Sequence, residues 1–281
     1  MLQFQYLSAQ EIGTREAQED AFFICPPAAL RAGETLLIVA DGVGTVSHGT
    51  KIGQYAIDAF TASYFGRLKD LGVVKSLHLA LLAANDAAFV LCSSQQNESN
   101  TQNGTTFTAI AVYNDCLYWV SVGDSRAYIF RSNELVQLTK DHVSEAHGGA
   151  LTSFLGAKYI PEIDLSKQGI PLRSNDRILL CTDGLYMNLD DSEMATALEG
   201  EFNQTIEKLL RAIAAKNNPE QDNISIVVMD CNGEIDQPAL KHSFSAKSVA
   251  TTPIDKNYLT ILIVISVIVI FAGIFFNTLT H

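Results

Sequence analysis

The most constraining feature of this chain is a set of short apolar runs that each meet an acidic residue at one end. Thr35 to Ala40 reads TLLIVA, a continuous apolar run of buried-strand length, and it stops directly on Asp41-Gly42. Arg177 to Cys181 (RILLC) passes through Thr182 to Asp183-Gly184, Glu19-Asp20 precedes Ala21 to Ile24 (AFFI), and Asp222-Asn223 leads into Ile224 to Met229 (ISIVVM). Four acidic motifs therefore sit at the ends of predicted buried strands. A strand end is rigid enough to hold a ligand in place and open enough to admit water and substrate. Asp-Gly and Asp-Asn are also ordinary turn formers, so each motif alone reads as a turn. Their joint occurrence changes that reading, together with Gly123-Asp124-Ser125-Arg126 between two predicted strands and Arg15 four residues before Glu19. Oxygen ligands with no His or Cys nearby favour hard divalent ions, Mg2+ or Mn2+, over zinc.

The rest of the first 231 residues supplies a layered frame for these ends. Ile52, Tyr55, Ala56, Ala59 and Phe60 recur at helical spacing, as do Val74, Leu77, Leu81, Ala84, Ala88 and Leu91, so two long helices follow the first strands. Thr105 to Val112, Cys116 to Val122 and Ala127 to Arg131 are β-rich and separated by Asn114-Asp115 and Gly123-Asp124, which predicts an antiparallel meander. Helical patterns recur around Ser192 to Leu198 and Phe202 to Ala215. Strands and helices in segregated blocks predict an α+β layered domain.

Beyond Cys231 the composition changes. Residues 232–257 carry two prolines, several serines and threonines and no long apolar periodicity, which reads as a linker. Leu259 to Phe276 (LTILIVISVIVIFAGIFF) then runs without a charge, long enough at about 1.5 Å per residue to cross a bilayer. The expected division is a domain at 1–231, a linker at 232–257, a transmembrane helix at 258–276 and a short tail at 277–281. Lys241, Lys247 and Lys256 precede the apolar segment and no lysine or arginine follows it, so the positive-inside rule predicts a single-pass membrane protein with its large N-terminal part in the cytoplasm. The net charge of -12 disfavours nucleic acid as a partner. The five cysteines lie far apart without a CxxC, mostly in apolar runs, and read as small core residues in a reducing compartment. His142 and His147 flank no zinc pattern and are not i,i+4 on a helix, so they are not taken as ligands.

In order along residues 8 to 230, Arg15-Glu16-Ala17-Gln18-Glu19-Asp20, Val39-Ala40-Asp41-Gly42-Val43-Gly44, Gly104-Thr105-Thr106, Val122-Gly123-Asp124-Ser125-Arg126, Cys181-Thr182-Asp183-Gly184-Leu185 and Gln221-Asp222-Asn223-Ile224-Ser225 resemble the type 2C (PPM) family of metal-dependent serine/threonine protein phosphatases, especially its compact bacterial members. The resemblance implies a four-layer α-β-β-α sandwich, two antiparallel sheets flanked by helix pairs, with a two-metal centre at one end. It implies that Asp41 bridges two Mn2+ or Mg2+ ions, that Asp183 and Asp222 complete one site, and that Glu19 with the Gly42 carbonyl serves the other. Asp20 would orient metal-bound water, Arg15 would bind the substrate phosphate, and Asp124 with Asp183 looks like the pair that supports a third ion. The activity implied is hydrolysis of phosphoserine and phosphothreonine in proteins without a phosphoenzyme. Substrates would be phosphorylated proteins, among them a serine/threonine kinase or its targets.

The residue types suit that chemistry. Hydrolysis of a phosphate monoester needs a strong nucleophile and neutralisation of developing charge, which two divalent ions supply together. Arginine's planar fork donates two hydrogen bonds to a phosphate at once. Animal members carry a histidine proposed to protonate the leaving group where this chain has Val43, and bacterial relatives often lack it too; the turn of those relatives usually continues Gly-Gly where this chain has Gly44-Thr45. Two other functions fit the same frame: a catalytically weak, membrane-anchored module that binds phosphoproteins, and a phosphatase of small phosphoesters.

Overall fold

The computed structural model describes residues 2–25, 34–43, 49–94 and 103–232. The chain divides into the units Met1–His242 and Ser243–His281, and all described residues belong to the first. The expected linker beyond Asn232, the membrane segment and the Gly44-Thr45 turn lie outside the described residues.

In chain order the strands are β1 (Gln3–Glu11), β2 (Ala21–Ile24), β3 (Thr35–Ala40), β4 (Gly42–Val43), β5 (Gly104–Thr105), β6 (Phe107–Tyr113), β7 (Cys116–Val122) and β8 (Arg126–Arg131). They continue with β9 (Glu134–Gln137), β10 (Val143–Ser144), β11 (Ala150–Leu151), β12 (Asp164–Leu165), β13 (Ile170–Pro171), β14 (Arg177–Cys181) and β15 (Ile224–Asn232). The helices are α1 (Gly49–Leu71), α2 (Val73–Ser94), α3 (Asp183–Tyr186), α4 (Asp191–Leu198) and α5 (Thr205–Lys216). One antiparallel sheet runs β1-β15-β14-β8-β9; the other runs β12-β7-β6-β3-β2, with β13 also on β7. Two short pairs, β4-β5 and β10-β11, stand apart from these sheets.

The continuous apolar runs are explained by burial on both faces. In β3, Leu36 and Ile38 pack toward α1 and α2, while Leu37 and Val39 pack with Ile178, Leu180, Val227 and Met229 of the opposite sheet. Leu179, Ile226 and Val228 turn the other way, onto Met194 and Leu198 of α4 and Leu209 and Ile213 of α5. Three apolar layers thus separate helices, sheet, sheet and helices, as expected. Each fully buried Leu or Ile in them contributes about 1.5–3 kcal/mol. α2 is apolar enough in length and composition to cross a membrane, yet its Leu77, Leu81, Ala84 and Ala88 are fully buried in this core.

Two expectations need correction. The meander predicted over Thr105 to Arg131 is split between the sheets: β6 and β7 form a hairpin through Asn114-Asp115, both at positive φ, but β8 pairs with β14 and β9. Gly123, at φ 92°, turns the chain out of the first sheet, and a Cβ there would lie 2.7 Å from the Thr106 side chain. The crossing leaves Asp124 where the sheets part. The predicted strand from Thr105 also breaks at Thr106, because Gly104 and Thr105 pair instead with Val43 and Gly42. Outside the predicted elements lies β1, in which Phe4 and Tyr6 alternate with Gln3 and Gln5 and pack into the layer between the sheets. It is an edge strand, half-buried, in register with β15 over nine residues.

Candidate metal centre

Every acidic motif reaches the same end of the sandwich. Asp41 leaves β3 with its backbone pinned: its N–H donates to Thr106 Oγ1 at 2.9 Å, and its carbonyl accepts from Thr106 N at 2.8 Å. Gly42 N donates to the Glu19 carbonyl at 3.2 Å, which ties the β3 exit to the β2 entry. Glu19 is held from β15, since its N–H donates to Asn223 Oδ1 at 2.7 Å while Asn223 Nδ2 donates to the carbonyls of Ile12 and Ala17. Asp20 is buried, and its Oδ2 accepts from Thr182 Oγ1 at 2.9 Å; Thr182 in turn accepts from Ser225 N. Asp183 begins α3 directly after β14, and Asp222 lies at the entry to β15.

Arg15 belongs to the same rim. Gly13, at φ 62°, lets the loop lie flat on residues 221 and 222, where a Cβ would meet both carbonyl oxygens at 2.4 Å. Thr14 N then donates to the Gln221 carbonyl, and Arg15 Nη2 reaches Asp222 Oδ2 at 2.5 Å. The guanidinium is more than half exposed, so this pair is an open, exchangeable contact rather than a buried lock.

The electrostatics are those of carboxylates short of positive charge. Burial, with Asp20, Asp183, Asp124 and Asp222 facing it, raises Asp41 well above the usual carboxylate range. Burial likewise pushes Asp20 up to about 7, against the hydrogen bonds of Thr182 and Ser225, and Asp183 up to about 6, with Asp124 and Asp222 adding to it. Asp124 is raised by burial and by Asp141, and Glu19 by burial, which Arg15 partly offsets. Two buried oxygens, Asp20 Oδ1 and Asp183 Oδ1, have no hydrogen-bond partner among the described residues. Unpaired buried carboxylate oxygens are costly, and a hard cation is what this all-oxygen set lacks. Among the described residues no three such side chains already close around one point.

The structure also places residues to which the sequence assigned no role. Asn223 and Thr182 fix Glu19 and Asp20 by the bonds above; both stand inside quoted motifs, but neither type signals ligation. Arg126 chelates Asp141 with contacts at 3.0 and 2.7 Å, and its guanidinium lies 3.6 Å above the Tyr186 ring. His142 is buried, accepts from Gly123 N through Nδ1 at 3.1 Å and is held neutral by burial, a structural role. His147 Nδ1 pairs with Ser144 Oγ.

Gly184 has the tightest surroundings at the centre: a Cβ there would stand 2.0 Å from the Asn223 carbonyl oxygen, a backbone atom. Gly184→Ala is expected to lower stability by about 3 kcal/mol. Urea unfolding at 25 °C checks it, and a loss under about 1 kcal/mol would show that the α3 and β15 backbones can move apart.

Comparison with known proteins gives a consistent picture. The sequence pattern described as protein phosphatase 2C matches residues 9–228. The serine/threonine protein phosphatase PstP of Mycobacterium tuberculosis is 30% identical over 219 residues, which cover 71% of this chain and 41% of PstP. The chain thus spans well under half the length of that relative. Protein phosphatase PhpP of Streptococcus pneumoniae is 27% identical over 224 residues, 73% of this chain and 89% of PhpP. The crystal structure of M. tuberculosis PstP superposes with a TM-score of 0.67 at 26% identity, covering 83% of this chain and 100% of that one. A structure of the PstP catalytic domain with two manganese ions gives 0.66 at 27% identity over the same shares. With its acidic strand ends held in one place by their neighbours' backbones, and with the family's pattern running from residue 9 to residue 228, this chain belongs to the protein phosphatase 2C family.

Proposed function

We propose that the chain is a divalent-cation-dependent phosphatase that removes phosphate from phosphoserine and phosphothreonine in proteins. The observation that carries this reading is the ring of raised, partly unpaired carboxylates at one sheet end beside the exposed guanidinium of Arg15. Glu19, Asp41, the Gly42 carbonyl, Asp183 and Asp222 would hold two Mn2+ or Mg2+ ions, and Asp124 with Asp183 a third. Bound there, the ions activate water and neutralise the phosphoryl oxygens. The PstP structure with two manganese ions supports a two-ion centre. Asp20, held through one oxygen by Thr182, keeps the other to accept a hydrogen bond from water and so orient it. Arg15, tethered by Gly13 and Thr14, swings between Asp222 and the substrate phosphate. Val43 offers no proton, so the departing alkoxide takes its proton from water or from another group.

The test is phosphate release from a phosphothreonine peptide by the full-length protein in detergent, with Mn2+ and with a chelator. Metal-independent turnover, or turnover of small phosphoesters only, would overturn the reading. Arg15→Lys keeps the charge but loses the two-pronged contact, so KM for the peptide is expected to rise about tenfold with kcat less affected. An unchanged KM in steady-state kinetics would remove Arg15 from substrate binding.

We further infer that Leu259 to Phe276 anchors the phosphatase in a membrane with the catalytic domain on the cytoplasmic side. The support is the uncharged apolar segment and the lysines that precede it. Phosphorylated proteins of the same membrane, kinases included, would then be favoured substrates by local concentration. Recovery of the full-length protein in the soluble fraction after alkaline washing would sink the anchor.

A further inference from the structure

We propose that Asn85 is a positioning residue for the Asp41-Gly42 ligand turn, acting from α2 through the loop at residues 155–157. The inference rests on the reading of Asp41 and Gly42 as metal ligands. Asn85 is a lone amide on the buried face of α2, only 5% exposed and flanked by the fully buried Leu81, Ala84 and Ala88. An amide buried among alkyl groups is costly unless both its ends are satisfied. Both are, and by one short stretch of loop backbone: Oδ1 accepts from Gly156 N at 3.0 Å and Nδ2 donates to the Ala157 carbonyl at 3.0 Å.

From that loop the hydrogen bonds lead straight to the ligand turn. Leu155 N donates to the Thr105 carbonyl at 2.8 Å, and Thr105 N donates to the Leu155 carbonyl at 3.0 Å. Thr105 pairs with Gly42 in the β4-β5 ladder, and the next N–H, that of Thr106, donates to the Asp41 carbonyl. The Thr105 hydroxyl lies 3.0 Å from the same carbonyl and 2.9 Å from that of Thr106, so its one proton is shared. The chain of contacts has little slack, because glycines let its parts touch. A Cβ on Gly156, which sits at φ 105°, would lie 2.9 Å from Cys92 Sγ, and one on Gly104 would lie 2.4 Å from the Leu155 carbonyl oxygen. A loop wedged this closely between α2 and β5 passes its own displacement on to β5 and hence to the turn. The competing account is that Asn85 only satisfies loop backbone and adds stability.

The two accounts differ in metal affinity. Titration calorimetry of Mn2+ into full-length Asn85→Ala, well below its melting temperature, is expected to show about tenfold weaker binding than wild type. Asn85→Asp keeps the acceptor for Gly156 N but turns a second oxygen, and when ionised a buried negative charge, toward the Ala157 carbonyl, so its affinity should also fall below wild type. Hydrogen exchange should show the Thr105 and Leu155 amides losing protection in both variants. Turnover should drop at limiting Mn2+ and recover at saturation. Ile213→Ala, a core truncation in α5 remote from this link, should lower the melting temperature without moving Mn2+ affinity. Wild-type affinity in Asn85→Asp, or an equal loss in Ile213→Ala, would overturn the proposal. Should Asn85→Ala not fold, Asn85→Asp and its exchange pattern decide the matter. A wild type that binds Mn2+ but hydrolyses no phosphopeptide would count against the phosphatase reading alone.

Discussion

Asp41→Asn is expected to lower phosphothreonine-peptide turnover on the order of 10³-fold at saturating Mn2+ while leaving a folded protein. The size of the loss follows from where Asp41 sits. Asp20, Asp183, Asp124 and Asp222 all act on its charge, which fits the proposal that it serves two cations at once. Asparagine fills the same space and keeps the backbone bonds to Thr106, but it removes the charge and presents an NH2 group with no affinity for a cation. Without metal the variant should melt at or above the wild-type temperature, because burial and like charge oppose the ionised form of Asp41. That pairing of a lost rate with retained or raised stability separates a ligand from a structural acid. Initial rates and circular-dichroism melts in chelator measure both. Turnover within tenfold of wild type would remove Asp41 from the centre.

How far the sequence predicts this arrangement depends on the kind of signal each residue carries. TLLIVA, RILLC and ISIVVM are apolar on both faces because both faces are covered, and that pattern predicts inner strands without any partner being known. β1 carries a different and shorter signal: Leu2 just before it, Phe4 and Tyr6 alternate with Gln3 and Gln5, the period-two pattern of a half-buried strand, over too few residues to stand out. The sheet change after β7 was equally hidden: Gly123-Asp124 suits a tight hairpin turn, and only contact with Thr106 reveals that the chain leaves the sheet instead. At the centre the acidic residues were legible from type and position. Asn223, Thr182 and Asn85 were not, because an amide or hydroxyl that holds another residue's backbone has no characteristic spacing; its meaning lies in bonds between segments far apart in the chain.

The same carboxylates set how stability should respond to pH and metal. In an unfolded chain they titrate near pH 4, whereas in the fold Asp183 is pushed up to about 6, Asp20 to about 7 and Asp41 higher than ordinary carboxylates. A raised folded pKa stabilises the native state fully below the unfolded value and loses that contribution as pH climbs through the folded value. From these groups the metal-free protein should therefore lose stability as pH climbs above about 4, and over pH 5.5 to 7.5 Asp20 and Asp183 account for on the order of 3 kcal/mol, to which Asp41 adds. His142, held neutral by burial, works in the opposite direction, on the acid side of the ordinary imidazole value. Asp190 and Glu193, with lowered pKa values, act only at more acid pH. A comparison with and without cation cancels His142. Mn2+ needs the ligands deprotonated, so it competes with the very protons that stabilise the metal-free fold. The rise in melting temperature on adding saturating Mn2+ should consequently be larger at pH 7.5 than at pH 5.5, growing with the ratio of free metal to Kd. In Asp41→Asn the rise should be small at both. Differential scanning fluorimetry at the two pH values, in chelator and in Mn2+, reads all of this. A shift as large at pH 5.5 as at pH 7.5 would mean that the cation binds away from the buried carboxylates.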